Sequence, residues 1–230
     1  MIDIEFDVRT DSKGKDPDSA SKTLKNYHQF LWSKTLPNGD YFNIESGDSR
    51  FYLRGNGMDL GSDSIAVTFF NGRNKHLEQF KNEMPDFMSH RESVMKKICT
   101  IGGYTILRQI RWSMNQARGC SPKICDRWDL TLECIRRYYA KETSPLDTAL
   151  KKSSDFFDLF VDFKGYVDFF FFQDCVDDNY NVKFWLDTPL FVSNPLPETL
   201  ESYLAWVDSQ VDFVQKRNKR ILDYCIENYE

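Results

Sequence analysis

The sequence predicts an α+β fold, and three patterns predict it. Residues 2–9 alternate apolar and polar side chains, the period of a half-buried strand. Leu200, Leu204, Val207, Val211, Val214, Asn218, Ile221 and Cys225 recur at steps of four and three, the period of a helix with one apolar face. Between these ends, β-prone and helix-prone runs alternate without repeats or a low-complexity linker. The 230 residues therefore read as one domain, 1–230, with a small mixed or antiparallel sheet, several helices and a long C-terminal helix.

In the first segment Ile2, Ile4, Phe6 and Val8 share one face, and Asp3, Glu5, Asp7 and Arg9 the other. The polar stretch 10–18 leads into a helix from about Ser19 or Ser21 to Ser33, with Leu24, Tyr27, Phe30 and Leu31 as its stripe. Pro37 fixes φ and Gly39 tolerates positive φ, so 36–42 is a turn. Short strands are expected near 41–45, 50–54 and 64–70. Helical spacing occupies 75–99 with a break at Pro85, and Gly102-Gly103 precedes an expected strand at 104–112. Residues 113–124 read as a polar connection.

Asp126, with Asp129 three residues on, is expected to cap a helix reaching about Ala140. Ser144-Pro145-Leu146-Asp147 is a second start signal, for a helix running to about Phe163 and stopping near Gly165. YVDFFFFQDCV at 166–176 fits either a buried strand or a helical turn, and VKFWL at 182–186 fits a strand. The final apolar stripe fits packing along the core better than pairing with a second copy. A coiled coil of under four heptads would be weak.

Composition narrows the function classes. A net charge of −5 argues against a uniformly basic coat for nucleic acid, although a local basic patch is compatible with it. No apolar run is long enough to span a bilayer. MIDIEFDVR lacks a basic segment followed by an apolar one, so no export signal is read there. With six scattered cysteines, the expected setting is the reduced cytoplasm. The three histidines form no ligand pair, and Cys120 and Cys125 lack a second pair at zinc spacing, so no metal site is assigned. A phosphate-binding glycine loop and a serine-hydrolase elbow are both absent.

The middle of the chain inverts the global charge. Residues 108–137 carry Arg108, Arg111, Arg118, Lys123, Arg127, Arg136 and Arg137 against three acids, a net of +4. The guanidinium fork suits phosphate or carboxylate, so the arginines either neutralise the chain's own acids or converge on an anion. In the second case Arg118 and Arg127 hold the anion, and Asn115 and Gln116 offer amides to a base or sugar. Arg9 and Thr10 end the first segment and join the ligand-binding set, because polar groups leaving an ordered element commonly meet ligands. Asp16 and Asp18 read as turn and cap residues.

Among the acids, Asp155, Asp158 and Asp162 have the spacing of a solvated helix face. Asp168 and Asp174 interrupt an apolar run, where a carboxylate must find a partner or shift its pKa. With Asp11 they form the catalytic set, as acid–base groups or as ligands of Mg²⁺ if the chemistry is phosphoryl transfer. The expected function is binding of a nucleotide or nucleic-acid phosphate by the arginines, with catalysis by the aspartates. The alternative is a non-catalytic interaction module or a homodimer built on the C-terminal helix.

Several stretches carry a resemblance: FDVRTDSKGKDPDS (6–19), YHQFLWSKTLPNG (27–39), LGSDSI (60–65), NQARG (115–119), ICDRWDLTLECIRRYY (124–139) and FKGYVDFFFFQD (163–174). Together they resemble an uncharacterised bacterial domain of unknown function over most of the chain. That resemblance implies a shared fold and no activity. Arg9 with Ser62-Asp63-Ser64 is also similar to elements of ADP-ribosyltransferase toxins. Those enzymes need a catalytic glutamate, and Gln173-Asp174-Cys175 supplies none.

Overall fold

The computed structural model describes residues 2–47, 52–66 and 75–229, less the side chains of Lys75 and His76. Residues 2–9 keep the alternation in burial but do not form the expected strand. Ile2 and Val8 are buried while Asp3 and Glu5 are exposed. The backbone turns instead, with the Phe6 N–H on the Asp3 carbonyl (3.3 Å) and the Thr10 N–H on that of Asp7 (3.0 Å). Val8 donates to the carbonyl of Cys99 (2.9 Å), so the neighbour of this segment is a helix end and not a strand edge. Period two reports which side chains enter the core; pairing needs a free edge beside it.

Helix α1 (Pro17–Ala20) is capped by Asp16, and α2 (Lys22–Trp32) by Ser21, whose hydroxyl accepts the Leu24 N–H (3.1 Å). Leu24, His28, Leu31 and Trp32 are the buried face of α2, whereas Phe30 is exposed. Strands β1 (Lys34–Thr35) and β2 (Tyr41–Phe42) then make a small hairpin, with Lys34 opposite Phe42 and Gly39 at φ 89° in the turn. A second, four-stranded antiparallel sheet has the order β3 (Ile44–Ser46), β4 (Leu53–Gly55), β5 (Met58–Ser64), β6 (Tyr104–Arg108). Residues 50, 51 and 67–70 of the expected strands lie outside the described residues.

Helices α3 (Gln79–Glu83) and α4 (Phe87–Ile98) flank Pro85 as expected. Strand β6 ends at Arg108, short of residue 112. The polar connection 113–124 is largely helical: Met114 and Arg118 are the buried residues of α5 (Met114–Cys120). Its charged and amide side chains hid a helix whose inner face pairs an apolar residue with a charged one. Asp126 does not cap α6 (Trp128–Tyr139); the N-cap is Arg127, and Asp126 sits at φ 65°.

Past Ser144, whose N–H and hydroxyl both meet the Asp147 carboxylate (2.8 and 2.9 Å), one long helix was expected. The chain instead breaks into α7 (Asp147–Lys152), α8 (Ser154–Phe157) and a 3-10 turn, and reverses at Val161 (φ 69°). Asp162 then caps α9 (Phe163–Phe169), donated to by Gly165, which lies inside the helix and does not stop it. A Cβ at Gly165 would run into the carbonyl of Phe160, so packing of the two turns requires glycine there. Residues 182–186 contribute a single bridge, Val176 to Val182, and no strand.

The C-terminal helix α10 (Leu200–Tyr229) buries more than its apolar stripe. Tyr203, Trp206, Gln210, Phe213 and Arg217 are buried beside Val207, Val211, Val214, Asn218 and Ile221. A face this wide belongs to a core helix. Asn218 clips the neighbouring turn, accepting from the Gly102 N–H (2.7 Å) and donating to the Thr100 hydroxyl (2.7 Å). Between α2, α8, α9 and α10 lies an aromatic core in which Trp32 meets Phe170 (5.0 Å between ring centroids) and Phe160 meets Phe169 (5.0 Å).

Candidate functional site

Most of the residues singled out in the sequence are bonded to the chain itself. The Arg9 guanidinium closes on Asp7 (2.6 Å) and on Glu92 of α4 (2.9 Å). Its bond to Asp7, then that to Glu92, raises its pKa further, and the Arg9 bond lowers that of Glu92. The Thr10 hydroxyl donates to the Asp7 carbonyl (2.7 Å). Asp11 accepts the Thr23 N–H (2.9 Å) in the first turn of α2. Partial burial pushes the Asp11 carboxyl upward, but bonds from Ser21 and Thr23 outweigh it and hold the pKa below the usual range. Arg9 and Asp11 thus strap the N-terminal segment onto α4 and α2, and Thr10 closes a turn within it.

The central arginines are drawn inward. Arg118 is fully buried; it donates to Asp63 (2.6 Å), to the carbonyls of Ser64 (2.9 Å) and Asp126 (2.8 Å), and to Thr131 (3.3 Å). Burial disfavours its charge, yet Asp63 and Asp126 more than restore it. Arg127 pairs with buried Asp129 and donates to Thr188 (3.1 Å) and the Pro195 carbonyl (2.7 Å). The Asn115 amide donates to the Ser62 carbonyl (3.0 Å), and the Gln116 carbonyl accepts the Trp112 N–H (2.9 Å). Arg108 meets Asp155 (3.1 Å), while Arg136 and Arg137 share Glu133 (2.8 and 2.7 Å). Asp174 is bound by Arg220 (2.6 Å). Only Arg136 and Arg137 converge at a partly exposed place, and there both are paired with Glu133 and Glu142.

Beside Arg118 lies a carboxylate pair. The Ser62 hydroxyl donates to Asp18 (3.0 Å), and Asp18 faces Asp63. Burial first, then Asp63 and Asp16, push the Asp18 carboxyl up to about 8. Burial raises Asp63 to about 6 despite Arg118. Arg9 and Ser62, the elements similar to ADP-ribosyltransferases, are thus held by different acids. Among the described residues, no group of three or more His, Cys, Asp or Glu is placed to hold a metal ion.

Of the catalytic and ligand-binding residues expected from the sequence, Asp168 alone lines a cleft of about 950 Å³ between the β1–β2 hairpin, α9 and the end of α10. It accepts from Tyr180 (3.0 Å) and Gln173 (3.1 Å) and pairs with Lys164, which also lines the cleft. In the same cleft is a residue the sequence did not single out, Lys34. Its ammonium lies 4.0 Å from the Phe171 ring centroid, 4.6 Å from Phe169, 4.8 Å from Tyr224 and 5.2 Å from Trp32. No hydrogen bond or carboxylate reaches it from the described residues. Burial, and then the charge of Arg217, push the Lys34 pKa down to about 7, while the ring faces favour its cation.

Arg217 of α10 shares one of these rings, its guanidinium lying 5.8 Å from the Trp32 ring centroid. Fully buried, it donates to the carbonyls of Phe170 (3.0 Å), Gly102 (2.8 Å) and Tyr104 (2.7 Å), and its guanidinium is 4.5 Å from the Phe172 ring centroid. No carboxylate among the described residues pairs with it, and burial lowers its pKa to about 9. Two cationic side chains therefore share one aromatic wall with no acid between them. The signal in the sequence was slight: a lysine just after an aromatic helix end, and an arginine next to the apolar stripe of the last helix.

The model of a family of unknown function, DUF6994, matches residues 2–221. The chain belongs to that family. No curated protein and no solved structure matches it. The DUF6994 match takes in Lys34, Asp168 and Arg217 and ends before Tyr224 and Tyr229, two aromatic residues of the cleft wall.

Proposed function

We propose that this DUF6994 protein binds a small anion carrying a flat ring, a molecule of the nucleotide class, in the cleft at Lys34. The observation that carries the reading is the ammonium of Lys34, a residue of the cleft wall, which is surrounded by four rings and has no acid partner among the described residues. A buried cation normally recruits a carboxylate from its own chain, as Arg118 and Arg127 do here. A lysine left unpaired is available to an incoming anion. Tyr41, Tyr224 and Tyr229 offer ring faces and hydroxyls to the flat part of such a ligand. Asp168, hydrogen-bonded by Tyr180, supplies a group for proton transfer in the same cleft.

The test is thermal unfolding in the presence of mononucleotides, nucleosides and inorganic phosphate. At a hundredfold excess over its Kd, a ligand stabilises the native state by about 2.7 kcal/mol. For a chain of this size that is a rise of about 5–10 °C in Tm. The rise is expected with the phosphorylated compounds and is expected to vanish in Lys34→Met. An unchanged Tm across the panel, or an equal rise in Lys34→Met, would overturn the reading.

A further inference from the structure

We propose that Lys34 is a nucleophilic amine that captures an aldehyde or ketone ligand of the cleft as an imine. The inference rests on the cleft being a ligand site and specifies the chemistry of what enters it. Three features of the geometry lead to it. Among the described residues no carboxylate holds the proton of the Nζ, unlike that of Lys164, which lines the same cleft and is paired with Asp168. It sits on an apolar floor of Phe169, Phe171, Trp32 and Tyr224, where desolvation disfavours charge. Arg217, near Trp32 of that floor and without a carboxylate partner among the described residues, repels a second positive charge. Amines activated for imine chemistry are made in this way, by an apolar pocket together with a neighbouring cation.

The step balances without a redox partner. The neutral Nζ adds its electron pair to the carbonyl carbon, and the resulting carbinolamine takes up one proton and expels its oxygen as water. The product is a protonated imine on Lys34, whose charge lies over the same four rings that held the ammonium. Hydrolysis reverses the step.

Pyridoxal 5′-phosphate is a suitable probe, being flat, anionic and an aldehyde. Wild-type protein is incubated with it and cyanoborohydride at pH 7, and the reduced adducts are located by peptide mass mapping. Lys34 is expected to be modified roughly tenfold or more faster than any other lysine, because an ordinary lysine holds almost no neutral amine at that pH. The rate at Lys34 is expected to reach half its maximum near pH 7, and no early adduct is expected in Lys34→Arg. Pyridoxine 5′-phosphate, the alcohol without the carbonyl, separates this inference from the reading it rests on. If the alcohol raises Tm in a Lys34-dependent way while the aldehyde marks only exposed lysines, the imine is overturned and the anion cleft stands. If neither compound acts at Lys34, both fall.

Discussion

Asp18 and His28 are perturbed in opposite senses, and each makes the stability of the protein depend on pH. Burial and the neighbouring Asp63 and Asp16 raise the Asp18 carboxyl from its ordinary value to about 8. Between about pH 4 and 8 the folded state therefore holds a proton that the unfolded state has released, so stability falls as pH rises through that window. His28 is fully buried, and burial, then Arg217, depress it to about 3. Its contribution has the other sign and is lost as pH falls from about 6.5 to about 3. Asp18→Asn is expected to flatten the fall in stability toward pH 8 and leave the acid side unchanged, as read from urea midpoints across pH. A wild-type midpoint that rises between pH 6 and 8 would contradict the assignment.

The helix ends show how far a local rule carries. Ser21 caps α2 as its position suggests, and Asp11 adds a second cap from outside the element, on the Thr23 N–H. Asp11, expected in the sequence to be catalytic, is thereby bonded to the first turn of α2. Ser21→Ala and Asp11→Ala are each expected to cost about 1 kcal/mol of unfolding free energy. Since both bonds hold the same helix end, the double variant should cost less or more than the sum of the singles. Chemical denaturation of the three variants measures it. Asn218 makes a similar point on α10: on an apolar stripe it resembles a register-setting residue of a coiled coil, yet its amide clips the turn at Thr100–Gly102.

At the scale of the whole molecule, α10 closes the core from one side, and both faces of its apolar stripe are occupied by the protein itself. Val207 is fully buried. Val207→Asp is therefore expected to unfold the chain, at a cost of more than about 3 kcal/mol, and not to release a folded monomer from a dimer. Far-ultraviolet circular dichroism beside sedimentation separates the outcomes; a folded variant of lower mass would restore the dimer alternative. Among the described residues no helix is long and apolar enough to cross a membrane.

The α+β class, the C-terminal helix, a helix start near Ser21, the turn at Gly39 and the break at Pro85 were legible in the chain, because each depends on residues within a few positions of one another. Residues 2–9 misled because alternation specifies inward side chains, and only the fold decides whether a strand edge lies alongside. The site was hidden for a related reason. Arg118 and Asp63 are far apart in the chain, and no spacing rule says that they will meet and consume each other's charge. Lys34 draws its character from Trp32 next to it but also from Phe169, Phe171, Arg217 and Tyr224, which arrive from the other end of the sequence. Sequence alone determined most of the apolar stripes and the helix starts near Ser21 and Ser144, but not the exposure of Phe30 or the burial of Arg118 and Arg217. Tertiary structure decided which charges were neutralised and which one was left facing a cleft, since electrostatic partnership depends on distance through space.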